Sequence, residues 1–155
     1  MGDGFAIRKA TPGDVAELAE MFDQYRVFYR KEANPRLARR FIGDRLRNRD
    51  SILFLAKTKD KDGGTLGFAQ LYPSFSSASA GKILVLNDLY VRPAFRKRGV
   101  GHALISACLE YERAKRCIRV DLATEKQNRT AQSLYHALEF QENKAFKYYS
   151  KLIEA

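Results

Sequence analysis

Tryptophan is absent from this chain, and cysteine, methionine and histidine occur only twice each among its 155 residues. Cys108 and Cys117 lie among apolar neighbours, with no C-x-x-C spacing and no histidine at ligand distance. That excludes a disulfide framework and a thiolate metal site, and predicts two reduced core thiols and no metal. Every apolar run falls short of the roughly 18 residues needed to span a membrane. The opening stretch MGDGFAIRKATPGD lacks a basic region followed by an apolar one, so a cytoplasmic location is expected. Repeats, linkers and low-complexity segments are also missing, and the length suits a single domain over residues 1–155.

Acidic residues are in short supply: 28 Lys and Arg face 18 Asp and Glu, a formal charge of +10. An excess of that size favours a polyanionic partner, whether nucleic acid, an anionic surface or a phosphate-rich cofactor. The acids Asp14, Glu17, Glu20 and Asp23 crowd one early segment, while RKRG and ERAKR lie in the second half. Basic residues are otherwise spread along the chain, and no helix-turn-helix, RRM or zinc pattern accompanies them. A nucleic-acid-binding module is therefore the alternative reading rather than the first.

What is present alternates between strand and helix periods. FAIRKA reads as a strand, and TPGD starts a helix to about Tyr29, with Thr11 as N-cap, Pro12 after it and Asp14 closing a capping box. Asn34 and Pro35 repeat the cap-then-proline signal ahead of Ala38, Phe41, Ile42 and Leu46. SILFLAKT, the turn KDKDGG and TLGFAQLYPSF predict a hairpin. KILVLNDLYV follows as a third strand of that group, interrupted by Asn87 and Asp88, a polar pair that a β-bulge or a functional role would explain. A helix from Val100 to about Lys115, the strand CIRVDLAT, the helix NRTAQSLYHALEF and a closing strand KAFKYYSKLI complete an α/β order.

The span RPAFRKRGVGHALI carries the sharpest signal. Glycine inside a helix costs about 1 kcal/mol against alanine, yet Gly99 and Gly101 stand in the first turn of a helix whose later residues are good formers. A helix start with free N–H groups and Arg96, Lys97 and Arg98 beside it suits a phosphate. The P-loop ending Gly-Lys-Ser/Thr is absent, and the dinucleotide pattern fails at Leu104.

What remains, R-x-x-G-x-G at Arg96, Gly99 and Gly101 with NRTAQSLYHALEF 27 residues beyond, resembles the signature of the GNAT superfamily of N-acetyltransferases. LNDLYV and NRTAQSLY are similar to the yeast histone and polyamine branch, GFAQLY and GKILVLNDLYV to the spermidine/spermine branch. The resemblance implies a mixed, mostly antiparallel sheet with a splayed central strand pair, about four helices, and acetyl-CoA as cosubstrate. It places the pantetheine arm along Leu89, Tyr90 and Val91, with the oxyanion near the Leu89 amide. It puts the pyrophosphate on Lys97, Arg98, Gly99, Val100, Gly101 and His102 beside Arg96, with Asn128 and Ala131 also at the cofactor.

The resemblance further implies Tyr135 as the acid that protonates the departing thiolate. Asn87 stands where the spermidine/spermine branch has a glutamate, which leaves Asp88 or Glu125 as base through water, or as a binder of a cationic substrate. Tyr25, Phe28 and Tyr29 predict an aromatic wall for an alkyl amine, while Arg26 and Arg30 would suit a carboxylate, so a polyamine, an amino acid and a basic peptide compete as acceptors. An aminoacyl-tRNA or ribosomal protein is a hybrid alternative, and a homodimer is expected by analogy.

Overall fold

The computed structural model describes residues 4–61 and 63–154, and these fall into two compact units, Met1–Ala123 and Thr124–Ala155. In the first unit, strands β1 (Phe5–Lys9), β2 (Ile52–Thr58), β3 (Thr65–Ser76), β4 (Gly81–Val91) and β5 (Arg119–Leu122) form one sheet in sequence order. All neighbours are antiparallel except β4 and β5, which run parallel. Helices α1 (Val15–Phe28) and α2 (Pro35–Asn48) enter between β1 and β2, and α3 (Val100–Ala114) between β4 and β5. The second unit carries α4 (Arg129–Ala137).

Local signals set the helix ends. Thr11 and Asp14 form the capping box, ahead of a short 3-10 turn that leads into α1. Asn34 Oδ1 accepts the Leu37 N–H at 3.0 Å and Pro35 occupies the first turn of α2. The period of two along the strands then sorts side chains by face. Leu53, Leu55, Phe68 and Tyr90 pack with Leu18, Met21 and Phe22 of α1 and Ala38 and Ile42 of α2. Phe54 turns the other way, onto Tyr111 of α3, where Leu104, Ile105 and Cys108 are fully buried. Burial pushes the Cys108 thiol up to about 12.

Two expected strands differ from what forms. The strand predicted over CIRVDLAT shortens to Arg119–Leu122, the residues with β4 partners Ile83 to Leu86. The predicted closing strand KAFKYYSKLI takes no regular structure, and Phe146, Tyr148, Tyr149, Leu152 and Ile153 are exposed. Side-chain preference alone does not make a strand; among the described residues no neighbour supplies these backbones with a ladder.

Gly67 has no room for a side chain. A Cβ there would stand 2.6 Å from the Tyr90 carbonyl oxygen and 3.4 Å from Leu104, because β3, β4 and α3 meet at that point. Gly67→Ala is expected to lower stability by about 1–3 kcal/mol, read as a lower denaturation midpoint at unchanged m-value.

Candidate active site

β4 contains one residue more than β3 can pair. Gln70 faces Asp88 and Leu71 faces Leu86, which leaves Asn87 unpaired as a bulge. Pairing with β5 ends at the same place, at Leu86 and Leu122. β5 ends there, and no strand among the described residues pairs with residues 87–91 on the side away from β3.

Register decides which backbone groups face that open edge. The Arg92 N–H bonds the Leu66 carbonyl at 2.8 Å, and bonded residues alternate along an antiparallel strand. Tyr90 therefore turns its N–H and C=O to β3, and Leu89 and Val91 turn theirs to the gap. The Val91 carbonyl accepts from Arg96 Nε at 2.8 Å, so the Leu89 N–H and C=O and the Val91 N–H are the groups left for a ligand.

The edge leads into the loop before α3. Arg96 rests its guanidinium 5.5 Å from the ring centres of both Phe28 and Tyr90. Lys97 and Gly99 adopt positive φ, +62° and +80°, which turns the chain sharply into the helix. No side chain caps α3, and a Cβ on Gly99 would meet nothing within 4 Å. The first-turn N–H groups thus face open space with Lys97, Arg98 and His102 exposed around them, while Val100 is buried and anchors the turn. These features fit a pyrophosphate.

Asp88 is 2% exposed and lies at the bulge. Its carboxylate accepts from Asn87 Nδ2 at 2.7 Å and from Gln70 Nε2, and Ser51 Oγ donates to Gln70 Oε1 at 2.8 Å. Tyr25 Oη donates to the Asn87 carbonyl at 3.3 Å. Burial raises the carboxyl above its ordinary 3.8, against the opposing pull of hydrogen bonds from Asn87, Gln70 and Tyr25. The same desolvation, with Asp88 nearby, lifts the phenol of Tyr25 and pushes that of Tyr72 up to about 12. The bulge therefore holds a buried carboxyl among neutral phenols. Gln70, Ser51 and Tyr72 were not singled out in the sequence, although Gln70 breaks the apolar run GFAQLY just as Asn87 and Asp88 break theirs.

A model of the acetyltransferase (GNAT) family matches residues 18–140. The chain belongs to this family. It is 40% identical to the uncharacterized N-acetyltransferase YhfO of Bacillus subtilis (strain 168) over 92% of this chain and 94% of the relative. A crystal structure of a probable acetyltransferase superimposes with TM-score 0.89 at 35% identity, covering 97% and 99% of the two chains. The aminoglycoside N-acetyltransferase AAC(6')-Iy in complex with CoA shares the fold, with TM-score 0.81 at 22% identity over 97% of each chain. The described residues of this acetyltransferase form four helices and a five-stranded mixed sheet.

Two cavities flank the C-terminal half of α1. One, about 400 Å³, is lined by Phe28, Tyr90, Pro93 and Arg96 with Asp23, Gln24, Val27 and Ala33. The other, about 340 Å³, is walled by Phe22, Tyr25, Tyr29, Leu37 and Phe41, with Arg26 and Lys31 at its rim. Tyr25 and Tyr29 thus share a cavity that Phe28 does not line. Tyr25 connects it to the bulge.

In the second unit, Asn128 Oδ1 caps α4 by accepting the Ala131 N–H at 3.1 Å. The Glu125 carbonyl accepts from the Asn128 N–H at 3.0 Å and from Gln132 Nε2 at 3.1 Å. Tyr135 packs edge-on against Phe140, 5.9 Å between ring centres. Among the described residues no helix is long and apolar enough to cross a membrane.

The buried carboxyl has a stability consequence. A folded-state pKa above the unfolded value favours the protonated form, so the contribution of Asp88 is full below about 4 and is lost as pH rises through its folded pKa. Asp88→Asn removes that dependence. Thermal melts from pH 4 to 8 should show the variant gaining on the natural protein as pH rises, then a constant gap.

Proposed function

We propose that the protein transfers an acetyl group from acetyl-coenzyme A to the primary amine of a small molecule, by direct attack with both substrates bound. The observation that carries this reading is the open β4 edge at Leu89, which runs from a buried carboxylate at the bulge to the glycine turn before α3. Leu89 would hold the pantetheine and its amide the developing oxyanion, and the N–H groups from Lys97 through His102 would hold the pyrophosphate. The family resemblance also assigns Asn128 and Ala131, in the second unit, to the coenzyme. When bound, acetyl-coenzyme A supplies a thioester carbon, at which the C–N bond forms as the C–S bond breaks.

The chain's own residues manage the protons. An alkyl amine with pKa near 10 is mostly protonated at pH 7 and must lose a proton before attack. Asp88 accepts it, directly or through one water, and burial supports this role by bringing its pKa closer to neutrality. Glu125 is the alternative carboxylate for the same role. Tyr135 donates to the leaving thiolate. Tyr25 and Tyr29 face the alkyl chain of the acceptor, with the bulged Asn87 beside it. The reading includes a cytoplasmic enzyme and a homodimer, the latter supported by the exposed Phe146, Tyr148, Tyr149, Leu152 and Ile153.

Calorimetry with acetyl-coenzyme A is expected to give micromolar binding, and Gly99→Glu to weaken it at least a hundredfold by adding a negative charge and a strained side chain at the helix start. No binding by the natural protein would refute the reading. In steady-state kinetics, Asp88→Asn should lower kcat by about 10²–10⁴ and remove the limb on which activity rises with pH through its pKa. Tyr135→Phe should lower kcat more than acetyl-coenzyme A affinity, and unchanged kcat would remove its acid role.

A further inference from the structure

Although Lys and Arg occur along the whole chain, its net positive charge is concentrated in one segment. Residues 26–49 hold nine Lys and Arg against two Asp and Glu, a net +7 of the chain's +10. This segment is the end of α1, the joint and α2, which together line the 340 Å³ cavity. Arg36, Arg39, Arg40, Arg47 and Arg49 are exposed.

At the cavity itself the imbalance is complete. Its charged lining residues are Arg26 and Lys31, and no carboxylate lines it. Arg26 is already paired, its Nη1 donating to Asp23 at 3.1 Å while Asp23 also accepts the Asn34 N–H at 2.9 Å, so Lys31 is the lining cation left for a ligand. Lys31 is exposed and makes no ion pair among the described residues. Phe41 backs the pocket, stacked on Phe22 at 5.4 Å and covered by the Arg45 guanidinium at 4.9 Å. The volume suits a ligand of amino-acid size. Like charges a few ångströms apart repel even in water, so a polycation would meet opposition on arrival.

Resting on the acetyltransferase reading above, we propose that the acceptor is an amine that also carries an anionic group, a carboxylate or a phosphate. Its alkyl chain lies against Tyr25 and Tyr29, its anion faces Lys31, and its amine is directed to the bulge. Polyamines and aminoglycosides are then poor acceptors, although one structural neighbour is an aminoglycoside N-acetyltransferase.

The test is thiol release from acetyl-coenzyme A with matched amines. Lysine is compared with cadaverine, which has the same aminoalkyl chain without the carboxylate, and phosphoethanolamine with ethanolamine. The anionic member of at least one pair should show kcat/KM at least tenfold higher, and the pair that responds identifies carboxylate or phosphate. Lys31→Glu should erase that preference with acetyl-coenzyme A affinity unchanged by calorimetry. Equal turnover, or faster turnover of cadaverine or an aminoglycoside, overturns the proposal and leaves the acetyltransferase reading standing. So does a Lys31→Glu variant with weakened coenzyme binding, since the charge would then serve the coenzyme. If acetyl-coenzyme A binds and no amine in the set is turned over, the small-amine reading falls and this one with it.

Discussion

A single extra residue in β4 organises this molecule. Because Asn87 has no partner on β3, the strand bends, and its parallel pairing with β5 stops one residue earlier, at Leu86. Everything beyond the bulge follows from that interruption. The Leu89 peptide is left without a strand beside it, Asp88 is buried where Gln70 and Asn87 can bond it, and Tyr25 can reach from α1 to the backbone at the bulge. A continuous ladder would have consumed the same backbone groups and left no opening.

The joint between α1 and α2 is held by a second, smaller device. Asp23 bonds the Asn34 N–H, and Asn34 in turn caps α2 through the Leu37 N–H. One buried carboxylate thereby orients both helices, and with them the aromatic residues between. Arg96 acts similarly at the other end of β4, joining the loop before α3 to Phe28 and Tyr90. The arginine that the glycine motif marks as a phosphate partner is also a packing residue.

Much of this was legible in the sequence because it is local. Thr11 with Asp14, Asn34 with Pro35 and Asn128 announce helix starts through residues a few positions apart, and the glycines at 99 and 101 announce a backbone approached by something else. Asn87 and Asp88 were conspicuous as polar residues in an apolar strand. Gln70 and Ser51 were not, because their meaning depends on register across β3 and β4 and on the pairing of β2 with β3. The expected closing strand does not form for the same reason: Phe146, Tyr148 and Tyr149 have strand-like preference, and a ladder needs a neighbour that preference does not supply. The arginines of α2 were visible as letters, but their position along a cavity rim exists only once α1 and α2 are packed.

In the proposed reaction every turnover liberates a thiol. Exchange with a protein cysteine requires a thiolate, and Cys108 is fully buried with its thiol pushed up to about 12. At neutral pH it stays a protonated thiol. Cys108 therefore sits in the core as a small apolar residue that cannot attack a disulfide while the fold is intact, and the α3 interface is shielded from thiol–disulfide exchange.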